Sequence, residues 1–191
     1  MAEPPVVSDP RVLRAIAHPT RGRILSELSA VGTARAADLA RDLGIPANQA
    51  SFHLRQLAKY GLVEEAPDQA RDRRDRVWRP SAEHGYQVNL KTLERTTGGE
   101  GAVAVYKNHV QARAGYLVDR AMQDEEDDGG GDRSIIDSAI RLTAEERNEF
   151  AAEVSDLLDR WSDRTRDRGA ERRTYSFFLV FQPYPPLGPT P

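Results

Sequence analysis

The chain has 191 residues, 39% hydrophobic and 30% charged, enough for the core of one large domain or two small ones. It has no cysteine, which excludes disulfide stapling and thiol redox sensing. No apolar run approaches the roughly 20 residues that cross a membrane, and MAEPPVVSDP lacks the basic start and apolar centre of a signal peptide, so a soluble cytoplasmic protein with no membrane partner is expected.

Residues 1–8, with Pro4-Pro5, read as a disordered N-terminus. Asp9-Pro10 is a helix start, an Asp cap followed by a first-turn Pro. Val12, Leu13, Ile16 and Ala17 form the apolar stripe of that helix, and Pro19 starts a second one that buries Ile24, Leu25 and Leu28. His18 fits a structural cap at the corner between them. A turn covers Ala30 to Thr33, and Thr33-Ala34 fits a short strand that completes the wing sheet.

Residues 36–63, AADLARDLGIPANQASFHLRQLAKYGLV, hold the strongest pattern. Leu39, Ala40 and Leu43 recur at helical spacing, and Gly44 stands where a left-handed C-cap is expected. Ile45-Pro46 forces an extended turn. A second run then carries Ala50, Leu54 and Leu57 on one face and ends at Gly61. Two short helices joined by a tight turn make a helix-turn-helix, which lays its second helix in a DNA major groove. The outward residues of that helix are Asn48, Gln49, Ser51, Phe52, His53, Arg55 and Gln56. Amide side chains pair two-pronged with adenine, and arginine pairs best with guanine.

Leu62 to Ala66 and Arg76 to Arg79 can pair as a hairpin, with Arg71, Arg73, Arg74 and Arg76 around its tip. Arginines on a hairpin tip suit the phosphate backbone or a neighbouring minor groove. Interleaved Asp residues cancel part of that charge. Trp78, in the second strand, is expected to pack beneath the hairpin. Helix, turn, helix and hairpin together make a winged-helix domain over residues 9–80.

From Val12 to Pro80 the chain resembles the ArsR-type winged-helix repressors. The resemblance is carried by LRAIAHPTRGRILSEL (Leu13 to Leu28), with its His-Pro-Thr-Arg step, and by ASFHLRQLAKYGLV (Ala50 to Val63). It implies a homodimeric transcriptional repressor that binds an inverted repeat in double-stranded DNA. Metal-sensing members carry a Cys pair before the recognition helix, or carboxylate and His ligands in a C-terminal helix. Here 35–43 has no Cys and the four His are scattered, so neither a metal nor a cofactor is expected. Pro46 stands where the family often has a capping Ser, a loss that Asn48 can partly offset.

Residues 81–123 read as a connecting segment and a long helix. Tyr86, Val88 and Leu90 alternate like a short strand, and Gly98-Gly99 is a break. The helix, Glu100 to Gln123, carries Val103, Tyr106, Val110, Ala114, Leu117 and Ala121 on one face. Because a helix after the wing commonly packs on its twin in the ArsR type, Val103, Tyr106, Val110 and Leu117 are candidate dimer contacts. Residues 124–133 form an acidic, Gly-rich linker. Residues 134–183 read as strand, helix, strand. The first strand holds Ile135 and Ile136. The helix opens with a Thr143 to Glu146 capping box and stripes Phe150, Val154, Leu157, Leu158 and Trp161. The second strand is Tyr175 to Phe181. Residues 184–191 are a Pro-rich tail.

The expected fold is mainly α with a small β component (α+β): an N-terminal winged helix-turn-helix and a C-terminal helical or α+β region for dimerisation or effector binding. Charge divides accordingly. Residues 1–80 hold 13 Lys+Arg against 10 Asp+Glu, and 81–191 hold 14 against 20, giving +3 and -6 within the net -3. DNA responds to the local field of the first half. Tyr106, Tyr116, Phe150, Trp161, Tyr175, Phe177 and Phe178 could wall a site for a small apolar effector. No phosphate loop, nucleophile elbow or paired metal-ligand motif marks an enzyme. The alternative is a protein-interaction module that reuses the winged helix without binding DNA.

Overall fold

The structure is a computed structural model that describes residues 4–72, 75–123, 133–166 and 171–183. It is mostly helical with two small sheets. Helix α1 (Pro10–Ile16) starts where Asp9 Oδ1 accepts the Arg11 N–H at 2.8 Å, the capping bond that an Asp-Pro start provides. Helix α2 (Pro19–Val31) follows after one corner. His18 occupies its N-cap position, yet its side chain makes no capping bond.

Strand β2 (Ala34–Arg35) leads into α3 (Ala36–Leu43), and α4 (Ala47–Lys59) completes the helix pair. Strands β3 (Val63–Glu65) and β4 (Val77–Pro80) form the hairpin, joined at its start by a 3-10 turn (Pro67–Gln69). The three strands lie in the order β2-β4-β3, all antiparallel, with Ala34 opposite Trp78 and Glu65 also opposite Trp78. A central β4 explains why Trp78 is buried: its ring is the lid of a core made by Ala15, Ile24, Leu28, Leu39, Leu54 and Leu57. These side chains come from α1 to α4, so burying them fixes the angle between α3 and α4.

A second core lies beside the first. Strand β1 (Val6–Val7) pairs in parallel with β5 (Gln87–Val88), and Val7 is buried against Leu13, Leu93, Ala102 and Val103. The expected disorder of residues 1–8 therefore fails at Val6-Val7. A two-residue strand is too short to show a period, and its partner lies some 80 positions away. Helix α5 (Leu90–Glu94) occupies the stretch without a clear pattern, capped by Asn89 Oδ1 on the Thr92 N–H at 3.1 Å.

Helix α6 (Gly99–Met122) packs on α1 and α5. Its two leading glycines serve different ends. Gly98 holds φ +75°, a left-handed conformation that side chains disfavour. Gly99 has ordinary dihedral freedom but no space: a Cβ there would lie 1.8 Å from the Leu93 carbonyl oxygen. Gly99→Ala must push α6 away from α5. An overpacking loss of about 1–3 kcal/mol is expected in thermal unfolding; an unchanged melting temperature would contradict the close approach.

Val103 is buried inside the protomer, and Tyr106 packs half-buried on the same second core. Val110 and Leu117 are also half-buried. Val103 is thus unavailable to a twin helix as the protomer stands, because a helix this long needs its own chain to cover one face.

Helix α7 (Ala144–Thr165) opens with both bonds of the capping box: the Thr143 side chain accepts the Glu146 N–H at 3.2 Å and Glu146 Oε2 accepts the Thr143 N–H at 2.7 Å. No residue of α7 is buried. The strands expected at 134–142 and 175–181 do not form; neither segment has a strand partner among the described residues. Apolar composition favours a strand, but only a second backbone completes one. Residues 124–132 of the linker expected at 124–133, and the tail at 184–191, lie outside the described residues. Among the described residues no helix is long and apolar enough to cross a membrane.

Candidate nucleic-acid interface

The turn between α3 and α4 is set by Gly44. At φ +64° it ends α3 in the left-handed conformation, its N–H reaching the Arg41 carbonyl at 3.3 Å while the Ile45 N–H reaches that of Ala40 at 2.9 Å. Pro46 then occupies the N-cap of α4 without a side-chain cap. Asn48 Oδ1 accepts the Gln49 N–H at 2.9 Å, a local bond that covers one first-turn donor. Gly61, φ +67°, ends the helix, and the Leu62 N–H returns to the Leu57 carbonyl at 3.1 Å.

Between these stops α4 has two faces. Ala50, His53, Leu54 and Leu57 are buried. Asn48, Gln49 and Arg55 are exposed, Ser51 and Gln56 half-buried, and Phe52 is 49% exposed. The exposed set recurs at three- and four-residue steps and makes one continuous outer stripe. His53 does not belong to it. Only 5% exposed, it lies with its ring centroid 4.8 Å from that of His18 and 5.3 Å from that of Phe52. The spacing 50, 53, 54, 57 already places His53 on the inner face.

His18 and His53 join the start of α2 to the inner face of α4. Burial, and then the Arg21 guanidinium, push both imidazoles below their ordinary value. His109, on α6, lies near His18 and is lowered by burial and then by Arg113. The sign follows directly. Above the ordinary value of 6.5 both folded and unfolded chains carry neutral imidazoles. Below it the unfolded chain takes up protons that the native pair resists, so stability falls as the solution is acidified toward the lowered folded values. Melting temperatures taken from neutral to mildly acidic pH should show this decline, and His53→Gln should flatten it; an equal slope in both proteins would contradict the buried neutral pair.

The wing has an anchor that its sequence hides. Arg35, on β2, donates Nε and Nη2 to the two carboxylate oxygens of Asp75, each at 2.7 Å. Asp75 Oδ2 also accepts the Arg71 N–H at 3.0 Å. The Arg35 bonds first, and then that N–H, hold the Asp75 carboxyl down to about 2. This fork-to-fork bond spans 40 positions, so neither residue is marked by its neighbours. It ties the loop holding Arg71 to the base of α3. Arg71 and Arg76 are exposed, with Arg76 Nε 3.6 Å from Glu65, while Arg73 and Arg74 lie outside the described residues. Arg79 is held on the hairpin by Glu64 at 2.7 Å and Asp68 at 3.5 Å. Asp75→Asn should free this loop, and trypsin should then cut between 71 and 76 faster than in the parent protein; an unchanged rate would show that the anchor does not order the loop.

The aromatic side chains singled out for an effector site do not enclose one space. Tyr106 packs on the second core, whereas Tyr116, Trp161, Tyr175 and Phe177 are exposed. Phe150 meets Phe181, with ring centroids 5.1 Å apart.

Comparison with known families matches residues 16–66 to the helix-turn-helix domain. The match runs from the end of α1 to the end of β3, covering the helix pair and stopping inside the hairpin. It supports a helix-turn-helix DNA-binding domain of the kind found in transcription regulators. No curated protein matches the chain.

Proposed function

We propose that this protein is a homodimeric transcriptional repressor of the ArsR type, which binds an inverted repeat with α4 in the major groove and the wing on the flanking backbone. The observation that carries this reading is the outer stripe of α4. Asn48, Gln49 and Arg55 stand exposed on a helix whose opposite face is locked into the core, directly after a glycine-stopped turn. Such a stripe presents bidentate donors and acceptors to base edges. Phe52, exposed within it, suits the methyl group of a thymine. Occupying a promoter with two such modules would exclude the polymerase and repress. The reading needs neither a metal nor a catalytic group.

The winged half carries an excess of only three positive charges, so one module alone would bind weakly and duplication would supply the affinity. Selecting duplexes from a random pool with the purified protein tests the proposal. Recovery of an inverted repeat, with half-sites about 10 base pairs or a multiple apart, is expected. No enrichment even at low salt would favour the module that uses its winged helix to hold another protein.

A further inference from the structure

We infer that His18, His53 and His109 form a proton-sensitive joint that lifts the first half of α4 off the core, and so off DNA, when the solution turns mildly acidic. The inference goes beyond the loss of stability described above, because it places the first response in one half of one helix. It rests on the DNA-binding reading for what is released, not for the joint itself.

The joint spans three helices. His18 stands at the start of α2, His53 on the inner face of α4, and their ring centroids are 4.8 Å apart. His109 reaches across from α6: its Nε2 lies over Gly22 of α2, 3.5 Å from where a Cβ would sit. The Nδ1 atoms of His18 and His53 are buried and have no hydrogen-bond partner. A neutral imidazole can leave that nitrogen as a bare acceptor, whereas the charged form carries N–H on both nitrogens and must place them against oxygen or water.

Nothing around the joint welcomes the charge. Arg21 faces both His18 and His53, and its guanidinium is fixed to α1 by the Ala15 carbonyl at 2.7 Å and the Arg14 carbonyl at 3.1 Å. Arg113 faces His109 along α6 and has Arg23 of α2 beside it. Tyr60, at the end of α4, lies beside Arg21. From the segment after α7, Ser176 accepts from Arg113 at 3.3 Å and Thr174 donates to Glu27 of α2 at 2.8 Å. No carboxylate among the described residues pairs with any of the three imidazoles; the one histidine that has such a partner is His84, with Asp159. A proton taken up here meets cations and no counter-ion, so the charged ring must reach water. The course of α4 decides how. Within its first half the buried side chains are Ala50 and His53, while Leu54 and Leu57 hold the rest. A movement that hydrates His53 therefore lifts the half that carries Asn48, Gln49 and Phe52. DNA selects the aligned form, so proton binding and DNA binding oppose one another reciprocally.

The sign of the pH effect tests the inference. Acid adds positive charge to the protein, and charge alone would tighten binding to phosphates. The joint predicts the reverse: from neutral to mildly acidic pH, affinity for the selected repeat should fall about tenfold per pH unit for each proton excluded from the complex. His18→Gln should bind as the parent does at neutral pH and lose about one power of ten from that slope. Without DNA, nuclear magnetic resonance of the parent should show the amides of residues 48–52 shifting together with the His53 ring protons, while those of Ile24, Leu28 and Trp78 in the core stay in place. Unchanged or tighter binding in acid, an equal slope in the variant, or amides at 48–52 that move only when the core amides do, would overturn the proposal. A protein that enriches no duplex at neutral pH would sink the repressor reading, and the amide titration then decides the joint by itself.

Discussion

Leu54→Ala is expected to destabilise the winged domain by about 2–5 kcal/mol, because it deletes a fully buried side chain and leaves a cavity. Leu54 lies on the inner face of α4, in one cluster with Leu28, Leu39 and Trp78. That cluster packs α4 against α2, α3 and the wing. For a chain of this size the melting temperature should fall by roughly 5–15 °C, and DNA binding should fail at temperatures where the parent still binds. Differential scanning calorimetry with parallel binding isotherms checks both. A loss below about 0.5 kcal/mol, the range of ordinary surface changes, would mean that α4 is not held by this core.

The second large effect concerns recognition itself. Arg55→Ala and Gln49→Ala each remove one bidentate reader from the outer stripe and should cost about 1–3 kcal/mol of discrimination at one base pair. The stability of the domain should not change, since both side chains are exposed. Replacing Arg73 and Arg74 in the wing should act differently: affinity for every sequence should drop, and the slope of log affinity against log salt should flatten by about one for each phosphate no longer neutralised. Binding measured at several salt concentrations, on the selected repeat and on a scrambled duplex, separates the two. The same uniform loss from both sets would show that α4 contacts only phosphates.

The helix-turn-helix was legible because its signals are local. Gly44, Pro46 and Gly61 punctuate it, and the three- and four-residue apolar steps between them are enough to place two helices. Trp78 and the hairpin followed from the same kind of evidence, and the capping box foretold where α7 begins. His53 was readable as well. It sits at the i+3 step of the inner face with Ala50, Leu54 and Leu57, but its polarity argued for the outside. Burial of a histidine there depends on His18, 35 positions earlier, and no local pattern marks that pairing.

Other features were hidden for the same reason. The Arg35–Asp75 pair joins residues 40 positions apart, and from the sequence Asp75 was only one more charge cancelling the wing arginines. Strand β1 is two residues long and parallel to its partner. The segments at 134–142 and 175–181 failed in the opposite way. Their composition is that of strands, but composition states only that a backbone should be extended and covered, not which chain supplies the cover. In the protomer the cover is partial: Phe150 meets Phe181 and Arg113 bonds Ser176, while Tyr175 and Phe177 stay exposed.

The central claim is that the outer stripe of α4 lies along base edges. Since the chain has no cysteine, one placed on α4 as Ser51→Cys can carry a tethered iron–EDTA group without any competing attachment. On the selected repeat the account predicts strand cleavage inside each half-site, in the stagger left by a reagent seated in the major groove, and cleavage in the flanks when the group is moved to the wing as Arg71→Cys. Cleavage from both positions at the same flanking nucleotides, or none within the half-sites, would contradict it.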